Sequence, residues 1–241
     1  MAKGGEHIAT EVVDNQAAAS GIRRVTLARP SGWSFRPGQV AQLTPPPGPS
    51  GYFALASSPD EPALSFLIKE GPDTTALAGI GPGERVVIAG PFGAGFDLPA
   101  PAPGRRLVFV GAGTALAALR SGLVAASHAH APGSLALVVG VRRLDELAFV
   151  DDIARWRAAG MAVEIAVSRP DPDWGGARGY VQDHVGAFLG ADAWVFVAGS
   201  DALEDAVEAA ALAACVGAAH IQRNYRPDRR ARPESSAGEP G

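Results

Sequence analysis

Residues 107–121, Leu-Val-Phe-Val-Gly-Ala-Gly-Thr-Ala-Leu-Ala-Ala-Leu-Arg-Ser, constrain the fold more than any other stretch. An apolar strand-like run breaks at small residues and resumes as an alanine-rich helix. Such a turn builds a cradle for an anion. Gly111 and Gly113 allow backbone angles closed to other residues and let a ligand approach, while the first amides of the helix point outward with the helix dipole behind them. The full dinucleotide fingerprint would add a third glycine near Ala115 or Leu116 and an acidic residue about 20 positions on. That glycine is missing. Strand-to-helix turns also use glycine for structural reasons alone, and both readings stand at this point.

Around this turn the periodicity changes. From Glu6 to about Pro103, short alternating runs at His7–Val13, Arg23–Ala28, Gln39–Leu43, Tyr52–Ala56, Ala63–Lys69 and Arg85–Ala89 are separated by glycine and proline corners, as in a small antiparallel β-barrel. One short helix is expected, capped by Thr74 or Thr75, with Leu77 and Ile80 on its apolar side. The proline-rich linker Asp97–Gly104 follows. Beyond it, apolar runs at Arg106–Val110, Leu135–Val141, Ala162–Val167 and Ala193–Ala198 alternate with helical patterns near Ala115–Ala126, Leu144–Ala159, Tyr180–Phe188 and Ala202–Cys215. That rhythm predicts a doubly wound parallel α/β sheet with ligands at the carboxyl ends of its strands. The expected division is a β-barrel domain over 1–103, an α/β domain over 104–225 and a polar, disordered tail over 226–241.

The 241 residues are 47% hydrophobic, enough to bury a sizeable core. A formal net charge of −4 gives no electrostatic reason to expect nucleic acid or an anionic membrane as partner. The start Met-Ala-Lys-Gly-Gly-Glu-His lacks the apolar centre of a signal peptide, and no apolar run approaches bilayer length, so a cytoplasmic location is expected. Cys215 is the single cysteine. It excludes an internal disulfide or a cysteine-rich metal site, and it reads as a buried helix residue. No metal-ligand set emerges: His128 and His130 lie two apart without a third partner and read as surface residues.

Several short motifs occur in a shared order. Phe35-Arg-Pro-Gly-Gln-Val40, Gly51-Tyr-Phe-Ala-Leu-Ala-Ser-Ser-Pro59, Gly71-Pro-Asp-Thr-Thr75, Gly90-Pro-Phe-Gly93, Gly111-Ala-Gly-Thr114, Gly140-Val-Arg142, Ser168-Arg169 and Ala198-Gly-Ser200 run from barrel to sheet. Together they resemble the ferredoxin–NADP reductase-like flavoprotein family. The Gly-Tyr-Phe strand and Gly179-Tyr-Val-Gln182 are similar to a plant and bacterial branch of it. The resemblance implies FAD and NAD(P)H as cofactors, hydride transfer between them, and onward transfer to an acceptor protein or small molecule. It places Tyr52, Phe53, Ala54, Leu55 and Ala56 along the flavin, with Gly71, Thr74 and Thr75 at its pyrophosphate. Gly111, Gly113, Thr114, Arg142, Ser168, Arg169 and Gly199 fall at the pyridine nucleotide, and Tyr225 where relatives carry a late aromatic. No side chain is assigned acid–base work, because the chemistry belongs to the cofactor.

The residues also depart from the family pattern. Gly51 and Ala54 stand where an arginine and a serine are common, removing a cation and a hydroxyl. FAD is then expected to lean on the backbone amides of Phe53–Ala56 and of the helix start, helped by the Thr74 and Thr75 hydroxyls, and restoring the pair as Gly51→Arg and Ala54→Ser should tighten it. Ala115 replaces a glycine of the phosphate turn, and Ala198 the cysteine beside the nicotinamide. Ser168-Arg169 resembles a 2′-phosphate grip and tilts the reading toward NADP over NAD. Arg120 reads as a solvated arginine. A second reading follows from the departures: a reductase-like subunit of weakened catalysis, acting as a binding, regulatory or electron-transfer partner.

Overall fold

The computed structural model describes residues 7–225. The tail expected from Arg226 onward lies outside the described residues. Two six-stranded sheets organise the rest.

The first sheet contains β1 (Ile8–Ala19), β2 (Ile22–Ala28), β3 (Val40–Thr44), β4 (Gly51–Ala54), β5 (Ala63–Lys69) and β6 (Arg85–Phe92), in the antiparallel order β4-β3-β6-β1-β2-β5. A bridge between Leu55 and Phe66 joins the chain after β4 to β5 and closes the barrel. Alternate residues Val25, Leu27, Leu43, Leu64, Phe66 and Ile88 fill its interior at no measurable exposure, the two-residue period of a strand with one covered face. The short helix α1 (Thr75–Ala78) follows a 3₁₀ turn at Pro72–Thr74 and plugs the barrel with Leu77. Strand β1 runs six residues past its expected end through the polar Asp14-Asn15-Gln16. Side-chain bonds hold it there: Asn15 Nδ2 donates to the Ala78 and Ile80 carbonyls at 2.9 and 2.7 Å, and Arg23 Nε donates to Asn15 Oδ1 at 3.0 Å.

The second sheet contains β7 (Arg106–Ala112), β8 (Leu135–Val141), β9 (Ala162–Val167), β10 (Ala177–Arg178), β11 (Ala193–Ala198) and β12 (Ile221–Arg223), all parallel in the order β10-β9-β8-β7-β11-β12. Helices α2 (Leu116–Ser127), α3 (Val150–Ala158) and α4 (Asp201–Ala213) flank it. The short edge strands β10 and β12 carry too few residues to show a period. Two expected helices change. The Leu144–Ala159 pattern resolves into a 3₁₀ turn at Leu144–Glu146 and then α3, because Leu147, Ala148 and Phe149 are all buried and Phe149 turns left-handed with φ 57°. Three consecutive residues cannot all face the core from one helix stripe. The Tyr180–Phe188 pattern becomes two 3₁₀ turns, Val181–Asp183 and Val185–Phe188, with Val181 and Val185 buried and His184 bonded to the Arg178 carbonyl at 2.9 Å.

The sheets share an apolar seam. Ile22, Ala56 and Leu67 of the barrel join the core that contains Phe109, Leu119, Leu123 and Phe196, and Phe96 stands between them with its ring 5.3 Å from that of Phe196. Gln222 of β12 grips the main chain of Asp97 at both ends, accepting from its amide at 2.7 Å and donating to its carbonyl at 2.9 Å.

Arg120 lies at the seam and is not solvated. Its guanidinium forks onto Glu61 at 3.0 and 3.0 Å, donates to Asp152 at 2.6 Å and to the Ala56 carbonyl at 2.8 Å, and covers the Phe149 ring. The adjacent Ser121 hydroxyl donates to the Ser57 carbonyl at 2.7 Å. Burial pushes the Glu61 carboxyl up, but the hydrogen bond and charge of Arg120 outweigh it and leave the pKa below the ordinary glutamate value. That contribution to stability is complete above the ordinary value and is lost as pH falls through the folded one. Arg120→Met is expected to cost about 3 kcal/mol in urea unfolding, because it removes the partner of half-buried Glu61 and of one oxygen of the nearly buried Asp152, leaving only the exposed Arg155 on the other. Glu61→Gln is expected to flatten the fall in stability below about pH 4; an unchanged acid limb would contradict it.

Candidate functional site

The order of strand addition reverses at β7: β8, β9 and β10 lie on one side of it, and β11 and β12 on the other. The crevice at the carboxyl ends of β7 and β11 is therefore the natural ligand site of the sheet. A cleft of about 320 Å³ opens there, lined by Thr114, Gly199, Ser200, Glu204 and Asn224, and walled on the barrel side by Tyr52, Phe53, Ala54 and Leu67. A second cleft of about 520 Å³ lies over the ends of β7, β8 and β9. Gly113, Thr114, Arg142, Ser168, Tyr180 and Gln182 line it. Ala112, Thr114 and Ser200 belong to both.

The two glycines of the β7 turn do different work. A Cβ on Gly111 would stand 2.5 Å from the Ala198 carbonyl oxygen and 2.9 Å from Leu119, so this residue lets β7, β11 and α2 close on one another. Gly113 has φ 57° and nothing within 4 Å of a Cβ, leaving its face open to the larger cleft. Thr114 and Ala115 complete a 3₁₀ turn before α2. Arg142 and Ser168 line the larger cleft. Arg169 does not line it; exposed, it follows Ser168 with its amide on the Arg142 carbonyl at 2.8 Å. Gly199 directly follows β11, half-buried against Leu203.

On the barrel wall only part of the expected set reaches the cleft. Leu55 and Ala56 are fully buried, and their amides donate to the Gln39 and Ser65 carbonyls at 3.1 and 2.8 Å. They are closed to a ligand because closing the barrel uses them. The same ladder alternation turns the Tyr52 and Ala54 amides away from β3, toward the cleft edge. Phe53 packs on the barrel core, and its ring lies over Gly51: a Cβ there would meet ring carbons at 2.7 and 2.8 Å. Gly51→Arg therefore displaces Phe53 rather than adding a cation to an intact strand. The Thr74 hydroxyl donates to the Lys69 and Gly71 carbonyls, and that of Thr75 to Gly71 and Pro72, so both protons are committed to the backbone. Tyr225 packs on Gly93, where a Cβ would approach its own Cβ within 2.3 Å, just past the last barrel strand.

Several lining residues were not singled out as site residues from sequence. Tyr180, 65% exposed, and Gln182 stand in the larger cleft; the Gly-Tyr-Val-Gln motif was their signal. The β1–β2 hairpin tip, Ser20 to Ile22, also lines it, tied across by the Ser20 amide to the Asp145 carbonyl at 2.8 Å. Glu204 and Asn224 left no local signal, since only the fold brings them to the crevice.

Residues 109–209 match the oxidoreductase NAD-binding domain family. The chain is 31% identical over 176 residues to ferredoxin–NADP reductase B of Sorangium cellulosum, covering 68% of this chain and 71% of that protein. It is 31% identical over 163 residues to a fruit protein of Actinidia deliciosa, covering 61% of this chain and 51% of the relative, about half the relative's length. Among solved structures the Amycolatopsis cytochrome P450 reductase shares the fold, with TM-score 0.80 at 24% identity over 91% of this chain and 70% of that one. A closed barrel beside a parallel sheet with a crevice between them defines a two-domain dinucleotide-binding class. The chain belongs to the ferredoxin–NADP reductase-like family of FAD- and NAD(P)-binding oxidoreductases.

Substitution separates packing from binding at the turn. Gly111→Ala is expected to lower stability by about 3 kcal/mol, since the added methyl meets main chain and a core leucine. Gly113→Ala is expected to cost only about 1–2 kcal/mol for its left-handed backbone while weakening NAD(P)H binding. Thermal melts and nucleotide titration of both variants check the contrast.

Proposed function

We propose that the chain is an NAD(P)H-dependent flavin reductase module that takes hydride from a reduced nicotinamide and passes electrons to an acceptor. The observation that carries this reading is the meeting of the two clefts at Thr114, one facing the barrel strand β4 and the other the carboxyl ends of β7–β9. A flavin beside β4 and a nucleotide along the sheet would then have their reacting rings in one crevice.

The residues fit the two groups unequally. The nucleotide side offers the open Gly113 turn, Arg142 with Arg169 beside it, Ser168 and the exposed Tyr180 ring, a set able to meet phosphate, ribose and base. The flavin side offers the Phe53 and Ala54 wall and the outward amides of Tyr52 and Ala54; Gly71, Thr74 and Thr75 line neither cleft and would contribute backbone alone to a flavin reaching that far. FAD would be held chiefly by shape and main chain, and it supplies the exchange between a two-electron donor and the acceptor. The chain's part is to orient the rings, keep Ala54 and Gly199 close to them, and exclude water with Leu67 and the apolar seam. Arg142, Ser168 and Arg169 support NADP as the preferred nucleotide.

Names among the relatives favour the reductase reading over that of a catalytically weakened subunit. We also take 1–103 and 104–225 as the two domains and the cytoplasm as the location. Among the described residues no helix is long and apolar enough to cross a membrane.

Purified protein given excess FAD is expected to show a bound flavin spectrum that bleaches under anaerobic NADPH, and more slowly under NADH. Absence of flavin uptake would overturn the reading. Arg142→Leu with Arg169→Leu is expected to raise the NADPH dissociation constant on the order of tenfold or more and that of NADH far less.

A further inference from the structure

Glu204 is the buried acid of the crevice that the proposed function leaves unused. It sits in the first turns of α4 with no exposure, yet it lines the cleft shared by Phe53, Ala54, Thr114 and Asn224. Its Oε1 accepts the Gly199 amide at 3.2 Å. Its Oε2 lies 3.8 Å from Arg223 Nη1, and Arg223 is in turn held by Asp205 at 2.7 Å and by Glu208. The next residue, Asn224, gives its amide to the Val197 carbonyl at 2.9 Å and faces the same cleft.

We propose that Glu204 is the positioning residue of the hydride-transfer crevice: it holds the Gly199 peptide from the inside, and through Arg223 it ties that peptide to the Arg223–Asn224 wall. The proposal rests on the reading of the crevice as the meeting place of nicotinamide and flavin. Gly199 is the close-approach residue at the end of β11, and a peptide free to rotate there would alter the surface on which a nicotinamide lies. A carboxylate reaching back to an amide before a helix is commonly a capping device at the solvent edge. Here the Ser200 hydroxyl accepts the Leu203 amide as the N-cap, while the Glu204 carboxylate passes over the N-cap amide to that of Gly199, one residue before it, and is buried at the cleft. Burying a charge is costly unless it is paired and hydrogen-bonded. The Gly199 amide and Arg223 meet those demands from the neighbouring strand ends of β11 and β12.

The test compares Glu204→Met, which keeps volume and loses the acceptor, with Glu204→Gln, whose amide oxygen still accepts from Gly199. In ligand-free protein, amide exchange of the 198–203 segment is expected to rise roughly tenfold in the Met variant and to stay near wild type in the Gln variant. In FAD-loaded protein, anaerobic single-turnover reduction by NADPH is expected to slow on the order of 10- to 100-fold in Glu204→Met, with the nucleotide dissociation constant changed little and Glu204→Gln restoring most of the rate. A folded Met variant with wild-type exchange and rate would overturn the proposal. So would a loss of melting temperature without a change in rate, which marks a capping role, or a Gln variant as slow as the Met one, which assigns the effect to charge on Arg223. Should Glu204→Met fail to fold, Glu204→Asp withdraws the acceptor by one methylene and is read in the same way. Wild-type protein that is not reduced by any nicotinamide would sink the functional reading, while the exchange measurement would still decide whether Glu204 holds Gly199.

Discussion

The fork of Arg120 onto Glu61, with Asp152 behind it, is the interaction on which the rest of the structure depends. It leaves α2 immediately after the β7 turn and grips the segment that follows β4, so the anion cradle and the barrel wall are fixed to one another through one side chain. Its bond to the Ala56 carbonyl and that of Ser121 to the Ser57 carbonyl place main chain, not only side chains, across the seam. On the proposed reading, in which two rings meet in the crevice, such a fixed separation matters because small misplacements at a reacting centre are costly in rate.

Around that clamp, sterics decide which residues can serve as a floor. Gly111 yields its side chain so that β7 and β11 close; Gly113 yields its own so that the turn stays open. The first change would be felt as lost packing, the second as lost binding. The same logic explains the barrel wall. Gly51 and Phe53 form a pair, in which a glycine makes room for a ring two residues on. A larger side chain at position 51 would therefore repack the strand, and what β4 leaves open toward the cleft is edge amides rather than a charged side chain.

The β1–β2 hairpin and the 221–225 segment act as two further straps between the sheets. Ser20 bonds to the loop after β8, while Gln222 holds Asp97 and Tyr225 packs on Gly93. Both link residues more than 100 positions apart. Neither depends on an apolar period, and polar straps of this kind add specificity to a seam whose energy comes from Phe96, Phe109 and Phe196.

What the sequence determined by itself was the local order: alternation in the barrel strands, doubly covered strands after the linker, and the glycine turn at 111–113, all of which follow from hydrophobic period and backbone sterics within a few residues. The family motifs were legible for the same reason, since each is a short turn or strand end. Tertiary structure alone decided that Arg120 is buried, that Leu55 and Ala56 are consumed by barrel closure, that the Thr74 and Thr75 hydroxyls serve the backbone, and that Glu204 reaches Gly199 in the crevice. These outcomes depend on which partner arrives from a distant part of the chain, and no local pattern carries that information. A polar side chain takes its role from the group that satisfies it, and only the folded chain supplies that group.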